Sequence, residues 1–534
     1  MNSRFASFIL ALLATASLSA ELVVINTDSS GEGSLRQVIT DCPADGTITF
    51  DPSLSGQIIE LGGSQLVIDK SLSIDASGLS SGIIIDGGGD GDFVQTTDES
   101  RCFFVSDDDP NNTITIAFRH LTIQNGSYEG ENAGANIHNL ENLTLTNCHV
   151  RDGRSFGERA YGGGIYHSGG SLSLTECTIS GNQTQGMSAC GGGIFNLEGG
   201  LSFNRCTISG NQARGILSDG GGICSNTDLD DQTPSLTQLV NCTITGNTVT
   251  DAVGGGMLNV DGLTVIEFCT IVGNKAFING SGISSFGDGF TETRIFNSIV
   301  RDNESGFDLS LYVENVNSFS FPVSGNSLIG DVGANVIGPV LNTDPLLLAP
   351  LATYGGPTQT MIPLFGSPAI DMATGTSRTR DQRGISIVGG SADIGAVEFQ
   401  GEAELPFIAP LVWDIDLDGD GTPFGVEHAL GTNPFISDVS DVANLNLTFN
   451  ANRQAVLEFG YNPQAIEGTQ WILERTSDLA SDSWDQVYFS ENPDNGEITD
   501  FDIVVDGGTS VELTDPALSA PTREFYRFRA TLTK

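Results

Sequence analysis

Between residues 134 and 303 apolar and polar positions alternate in short bursts, and the bursts recur. Tyr161 to Asn182 reads YGGGIYHSGGSLSLTECTISGN, and Cys190 to Asn211 reads CGGGIFNLEGGLSFNRCTISGN. The glycine phrase returns with its aliphatic residue at Ile137, Ile165, Ile194, Ile223, Met257 and Ile283, at gaps of 28, 29, 29, 34 and 26 residues. A second phrase, C-T-I-x-G-N or a relative, returns with Cys148, Cys177, Cys206, Cys242 and Cys269, at gaps of 29, 29, 36 and 27. Leu121-Thr122-Ile123 precedes that series and Asn297-Ser298-Ile299 continues it. Two phrases drifting together at one period mark a structural repeat.

Within a unit, period-2 alternation predicts three short strands separated by bends. Ile165, then Leu172 and Leu174, then Cys177 and Ile179 point inward, while Ser173 and Thr178 face water. No segment has helical periodicity, and none is long enough to bury its apolar face alone. Stacking each turn on the next, about 4.8 Å away, buries a continuous core and pairs the backbone. The expected fold is all-β: a right-handed parallel β-helix. The abundance of Gly, Asn, Ser and Thr argues against a helical solenoid. Stacking also predicts columns of like residues. Asn182, Asn211, Asn247 and Asn274 form an amide ladder at a bend where Asn adopts a left-handed conformation. The five repeat cysteines form an internal thiol column acting as small hydrophobes rather than as a metal site or disulfides.

The 534 residues suffice for two or three domains. With 67 acidic against 22 basic residues the net charge is -45, which makes nucleic acid and anionic membrane surfaces poor partners and cations, calcium in particular, plausible ones. The same acidity also serves simple solubility outside the cell. Residues 1–20 read as a secretory signal, with Arg4, an apolar centre over Phe8 to Leu13, and small residues closing near Ser19 and Ala20. No later stretch approaches the ~20 apolar residues of a transmembrane helix. An exported or surface-displayed protein is expected. The nine cysteines are odd in number, and Cys190, Cys224, Cys42 and Cys102 lie outside the repeat column with no connectivity implied.

Residues 21–60 read as an amino-terminal cap. Leu35, Val38 and Ile39 fall at helical spacing and predict a short helix over the open end of the solenoid. The β-helix is expected over 61–343. Insertions at Gly153 to Ala160, at Asp107-Asp108-Asp109 and at Asn226 to Pro234 predict projecting loops. The stretch GxGSLRxxI before Ile48-Thr49-Phe50 resembles the amino-terminal segment of secreted bacterial β-helix proteins. Residues 344–400 contain DPLLLAPLATYGGPTQTMIPLFGSPAIDMA, TRDQRG and ADIGAVE, which resemble the closing segment of the choice-of-anchor Q family. The GGGI and CTISGN phrases are similar to the GGA[ILV] and FxxN repeats of polymorphic outer membrane proteins, with Cys here in place of Phe. Only about 135 residues follow Gln400, too few for that family's membrane barrel. Both resemblances imply a secreted or surface pectin-lyase-like β-helix without established chemistry.

Residues 401–437 hold one sharp motif. Asp416, Asp418 and Asp420, then Gly421 and Glu427, fit D-x-D-x-D-G-x5-E, with Thr422 offering its carbonyl. Such an oxygen shell suits one calcium ion, with Glu427 bidentate. Continued through GTNP, the stretch looks like the thrombospondin type 3-like calcium linkers of secreted bacterial proteins. Residues 438–534 read as about seven strands and predict a β-sandwich. Trp471, Trp484, Tyr488 and Tyr526 are there as core residues or as a sugar platform.

Parallel β-helices include pectate lyases and polygalacturonases, but fold does not license function. Asn342-Thr343-Asp344 resembles the N-T-D of polygalacturonases, without its D-D or G-H-G partners. Asp219, Arg214, Asp152, Arg154 and Arg159 are the residues available for a lyase, and His120, His138, His149, His167 and His428 form no catalytic pattern. The expected function is therefore a structural, adhesive or glycan-binding surface protein with a glycan or cell-envelope partner. The alternative is a polysaccharide lyase or hydrolase acting on an acidic polysaccharide. For the calcium loop, the wild-type melting curve should rise on calcium titration and that of Asp416→Ala should not. Identical responses would remove the metal from the account.

Overall fold

The computed structural model describes residues 21–131, 134–227, 235–287, 291–313, 319–320, 323–324, 326–333, 344–375, 378–387 and 391–404, and beyond them eight strands within 446–532. The signal segment, the Asp416 to Glu427 loop, Trp484 and most of the Asn226 to Pro234 insertion lie outside the described residues. The chain divides into two units, the first built from residues 1–344, 351–361 and 371–398.

That first unit is a parallel β-solenoid. Sheet A has twelve strands, sheet B ten and sheet C nine, and successive turns of the chain contribute neighbouring strands to each. One complete coil runs from Ile165–Ser168 in sheet C to Ser171–Thr175 in sheet A and Thr178–Ser180 in sheet B. It then adds Gln183–Gln185 and returns to sheet C at Ile194–Leu197. Gln183–Gln185 belongs to a fourth, five-stranded sheet D, so the coil has four strands where alternation predicts three. The fourth went unseen because its inward residues are the small Ser155, Thr184 and Ala213, which give no apolar signal. For the same reason the stretch from Gly153 is no projecting loop: Arg154–Phe156 is a sheet D strand.

Every repeat position lands in register. Leu172 pairs with Leu143 and Leu201, and Ile179 with Val150 and Ile208. Ile165, Leu172, Leu174, Cys177 and Ile179 are all fully buried. The cysteines form one buried file, in which the Cys148 and Cys206 backbone N–H groups donate to the Cys177 and Cys242 sulfurs at 3.4 Å. The corner before each cysteine is a single left-handed residue (Asn147, Glu176, Arg205, Asn241, Phe268).

The amide ladder is present and longer than the repeat alone shows. The Asn182 Nδ2 donates to the Asn211 Oδ1 at 3.0 Å. Asn211 donates in the same way to Asn247, Asn247 to Asn274 and Asn274 to Asn303, each at 2.9 Å. Asn136 donates to Asn182 at one end, and Asn303 donates to the Asp308 carboxylate at the other. The left-handed residue at this bend is not the asparagine but the glycine before it, at Gly181, Gly210, Gly246 and Gly273. That glycine turns the chain, which frees the asparagine to point inward at zero exposure.

The helix expected near the amino terminus forms: Leu35–Asp41 is helical with Ser34 as N-cap, and Leu35, Val38 and Ile39 are buried. The closing segment covers the outward threonines of sheet B. Gln382 donates through Nε2 to the Thr207 Oγ1 at 3.0 Å and accepts from the Thr243 hydroxyl at 2.6 Å, while Ala396 N–H donates to Thr270. Asp381 and Arg383 form a buried ion pair at 2.8 Å. The TRDQRG and ADIGAVE phrases thus act as a clamp across coils. In the second unit, two four-stranded antiparallel sheets are described, Asn446–Phe449, Ala455–Gly460, Ser510–Asp515 and Asp502–Asp506 in one and Glu497–Ile498, Asp485–Ser490, Thr469–Thr476 and Phe525–Leu532 in the other.

A second interior polar file carries a titratable member. His167 stacks in register between Asn139 and Asn196, is fully buried, and its Nδ1 lies 2.8 Å from the Asn139 amide. Burial lowers its pKa to about 4. The folded state therefore binds fewer protons than the unfolded state between pH 6.5 and 4, so stability is full above that window and falls as pH drops through it. Between pH 7 and 4, wild type should lose about 3 kcal/mol more than His167→Asn, whose side chain matches both stacked neighbours. Parallel urea-derived stabilities for the two proteins would refute the assignment.

Candidate functional site: an aromatic groove beside sheet C

The middle residue of each sheet C strand points away from the main core, and strand register stacks these residues into a column. It runs Phe104, His138, Tyr166, Phe195, Cys224, Leu258, Ser284 and Ser310. The loop that brings the chain back to sheet C supplies a second column, with Tyr161, Cys190 and Asp219 bridged in sequence and Val253 bridged to Asn279. Where the first column is bulky, the two pack together. Tyr166, Phe195, Cys190, Cys224 and Leu258 form a buried cluster separate from the solenoid core. Rings stack up the axis at 4.7 Å for His138 on Tyr166, 5.6 Å for Tyr166 on Phe195 and 4.3 Å for Tyr161 on Phe195. A disulfide between Cys190 and Cys224 ties the columns together across consecutive coils.

The column then shrinks, from Leu258 to Ser284 and Ser310, whose hydroxyls bond to each other at 3.0 Å. The flanks do not shrink. Phe286 and Tyr312, two residues further along the same strands, stack at 5.4 Å with planes 9° apart. Ile278 and Phe307, in the preceding loops, line the other side. The result is a groove of about 830 Å³ along the axis, running from Tyr161 and Asp219 to Tyr312. Its rim is apolar and open to solvent: Tyr312 is 59% exposed, Ile278 52% and Leu217 60%. Asn226, Asn279, Ser284 and Ser310 supply the polar lining. Large apolar patches of this kind mark binding surfaces.

Asp219 is the charged residue of the lining, which holds no Lys or Arg among the described residues. Its Oδ1 accepts the Val253 N–H at 3.1 Å, and it has no ion-pair partner among the described residues. Burial raises its pKa to about 6, and nearby Asp251 adds to the shift. A carboxyl in that range can both hold a cation and donate a proton.

A second place holds clustered carboxylates. Asp90, Asp92 and Glu99 bring their oxygens within 4.8 Å of one another, and Glu99 is buried. Asp90 N–H and Thr96 N–H donate to Glu99 at 3.3 Å, and the Arg154 guanidinium lies 5.8 Å from the neighbouring Phe93 ring. These groups have the donor chemistry for a hard cation. The D-x-D at Asp90 and Asp92 was the signal that sequence reading passed over.

Of the basic residues considered for a lyase, Arg159 lies near enough to Tyr161, at one end of the groove, to oppose the rise that burial gives the tyrosine's pKa. Arg154 and Arg214 lie on sheet D strands. Arg214 is held by the Gln212 side chain, Arg154 donates to the Asp152 carbonyl, and Asp152 pairs with Arg151 at 3.8 Å. Of the acidic residues considered, Asp219 alone lines the groove. Among the acidic loops, Asp107 bonds internally to Asp109 and Asn112. The groove itself was missed, although its signal was the residue after each glycine-phrase aliphatic.

The disulfide should matter to stability. It closes a 34-residue separation, for which chain entropy gives about 3 to 4 kcal/mol. Cys190→Ser with Cys224→Ser should unfold at correspondingly lower urea, and wild type in reductant should match the variant. An unchanged midpoint would contradict the pairing.

No protein-family model matches the chain, and no curated protein does. Among solved structures, the crystal structure of a pectate lyase matches at 15% identity and a TM-score of 0.43, covering 71% of this chain and 96% of that one. At that level the likeness carries no functional argument, and the parallel β-solenoid stands on its own strand register.

Proposed function

We propose that this protein is an exported β-solenoid that binds an extended glycan in the groove beside sheet C and attaches it to, or displays it from, a cell envelope. One observation carries the reading: the outward column of sheet C steps from rings to serines between two aromatic walls. This leaves a slot whose floor offers hydroxyls and whose sides offer apolar surface. Amphipathic sugar rings present both chemistries. The disulfide supports an oxidising compartment and so the export read from residues 1–20. The closing segment's likeness to the choice-of-anchor Q family supports a surface role. In this proposal calcium, held by Asp416, Asp418, Asp420, Thr422 and Glu427, stiffens the joint to a carboxy-terminal β-sandwich. Among the described residues no helix is long and apolar enough to cross a membrane.

A second reading, a polysaccharide hydrolase or lyase, is favoured by Asp219, with its raised pKa and Asp251 near enough to shift it. Asp219 in the groove and the net charge of -45 disfavour a polyanionic substrate for either reading.

Titration with neutral β-linked oligosaccharides tests the proposal. Binding should be lost in Ser284→Leu, which restores the bulk of Leu258 one coil earlier, and should weaken about tenfold in Phe286→Ala or Tyr312→Ala. Equal binding by wild type and Ser284→Leu would overturn the groove as the site. Release of shortened product, abolished in Asp219→Asn, would establish the second reading instead.

A further inference from the structure

The most informative group in the groove is the carboxylate without an ion-pair partner among the described residues. Asp219 sits half-buried at one end, held by a single backbone donor and facing no basic side chain among the described residues. Glu176 has Arg205, Glu292 has Arg294 and Asp308 has Asn303, whereas Asp219, like the buried Glu99 and Glu141, is held by backbone N–H groups. Leaving a carboxylate desolvated and unpaired is costly, so such a group is most stable with a cation brought from outside. The surroundings suit an organic cation better than a bare metal ion. Asp219 is the lining's sole carboxylate among the described residues, whereas a hard ion would need a shell of several oxygens. The net charge of -45 points the same way, attracting cationic chains and repelling acidic ones.

We infer that the groove selects a glycan bearing free amino groups, an amino-sugar chain one of whose ammonium groups docks against Asp219. The inference rests on the glycan reading above and narrows it to a ligand class. The burial that lifts the Asp219 pKa to about 6 is the expected mark of a carboxylate waiting for its counter-charge, and a bound ammonium would bring that pKa down.

The test uses the full chain and calorimetric titration near pH 7, in salt high enough to screen the diffuse surface charge. The probes are an N-acetylglucosamine oligomer, its fully deacetylated counterpart of equal length, and an oligogalacturonate. Wild type should bind the deacetylated oligomer at least about tenfold more tightly than the acetylated one, with the oligogalacturonate weakest. In Asp219→Asn that preference should vanish while affinity for the acetylated oligomer stays within about twofold. Asn occupies the same column at Asn279, and its side-chain oxygen keeps the Val253 bond. Asp219→Ser gives a second variant with the same expectation. Equal affinities in wild type, or a preference that survives both substitutions, would overturn the amino-sugar inference and leave the glycan groove standing. If neither glucosamine oligomer binds, the amino-sugar inference falls, and the glycan reading is decided by the neutral oligosaccharides above.

Discussion

Within the solenoid, the file of asparagines from Asn182 to Asn303 is the constraint on which the rest depends. Each side chain is fully or largely buried, and from Asn211 onward each oxygen accepts from both the backbone N–H and the amide of the asparagine one coil below. Each amide also donates to a carbonyl on the coil below, as Asn211 does to Ile179. A slip of one residue in any coil would leave these donors and acceptors unpaired in a medium that cannot replace them. Apolar stacking alone is more forgiving, because Ile, Val and Leu exchange places at modest cost. The amides therefore fix register, and the aliphatic columns supply most of the burial.

Fixed register has a consequence on the outside. Whatever residue follows the aliphatic of the glycine phrase is placed directly above its counterpart, so the outer surface becomes a set of columns whose profile can be tuned coil by coil. Rings fill the angle between sheet C and the returning loop near Tyr166 and Phe195, a disulfide locks it at Cys190 and Cys224, and serines open it beyond Leu258. The groove and the unpaired carboxylate within it are products of the same stacking that builds the core. On the opposite side, the Gln382 clamp covers the threonines of sheet B, which gives the closing segment a structural role there.

The core was legible because its signal is local: five-residue phrases repeated at one period name the inward Ile, Leu, Cys and Asn outright. Leu35, Val38 and Ile39 were legible as a helix for the same reason. The groove was not, because it is made between two columns, and the loop column through Tyr161, Cys190 and Asp219 has no repeated residue type to announce it. The fourth strand escaped through its small inward residues, and the left-handed bend was assigned to asparagine when glycine beside it bears the conformational demand. Gln382 reaches Thr207 across 175 residues of sequence, a contact that no local pattern encodes.

The central claim, that buried amides hold the coils in register, is tested most directly by urea unfolding of Asn211→Ala. The substitution strands donors of Asn182 and an acceptor of Asn247 at fully buried positions. The account predicts a loss of about 3 kcal/mol or more, well beyond that of an isolated exposed asparagine. A loss under about 1 kcal/mol would contradict it, and would assign register to the aliphatic columns instead.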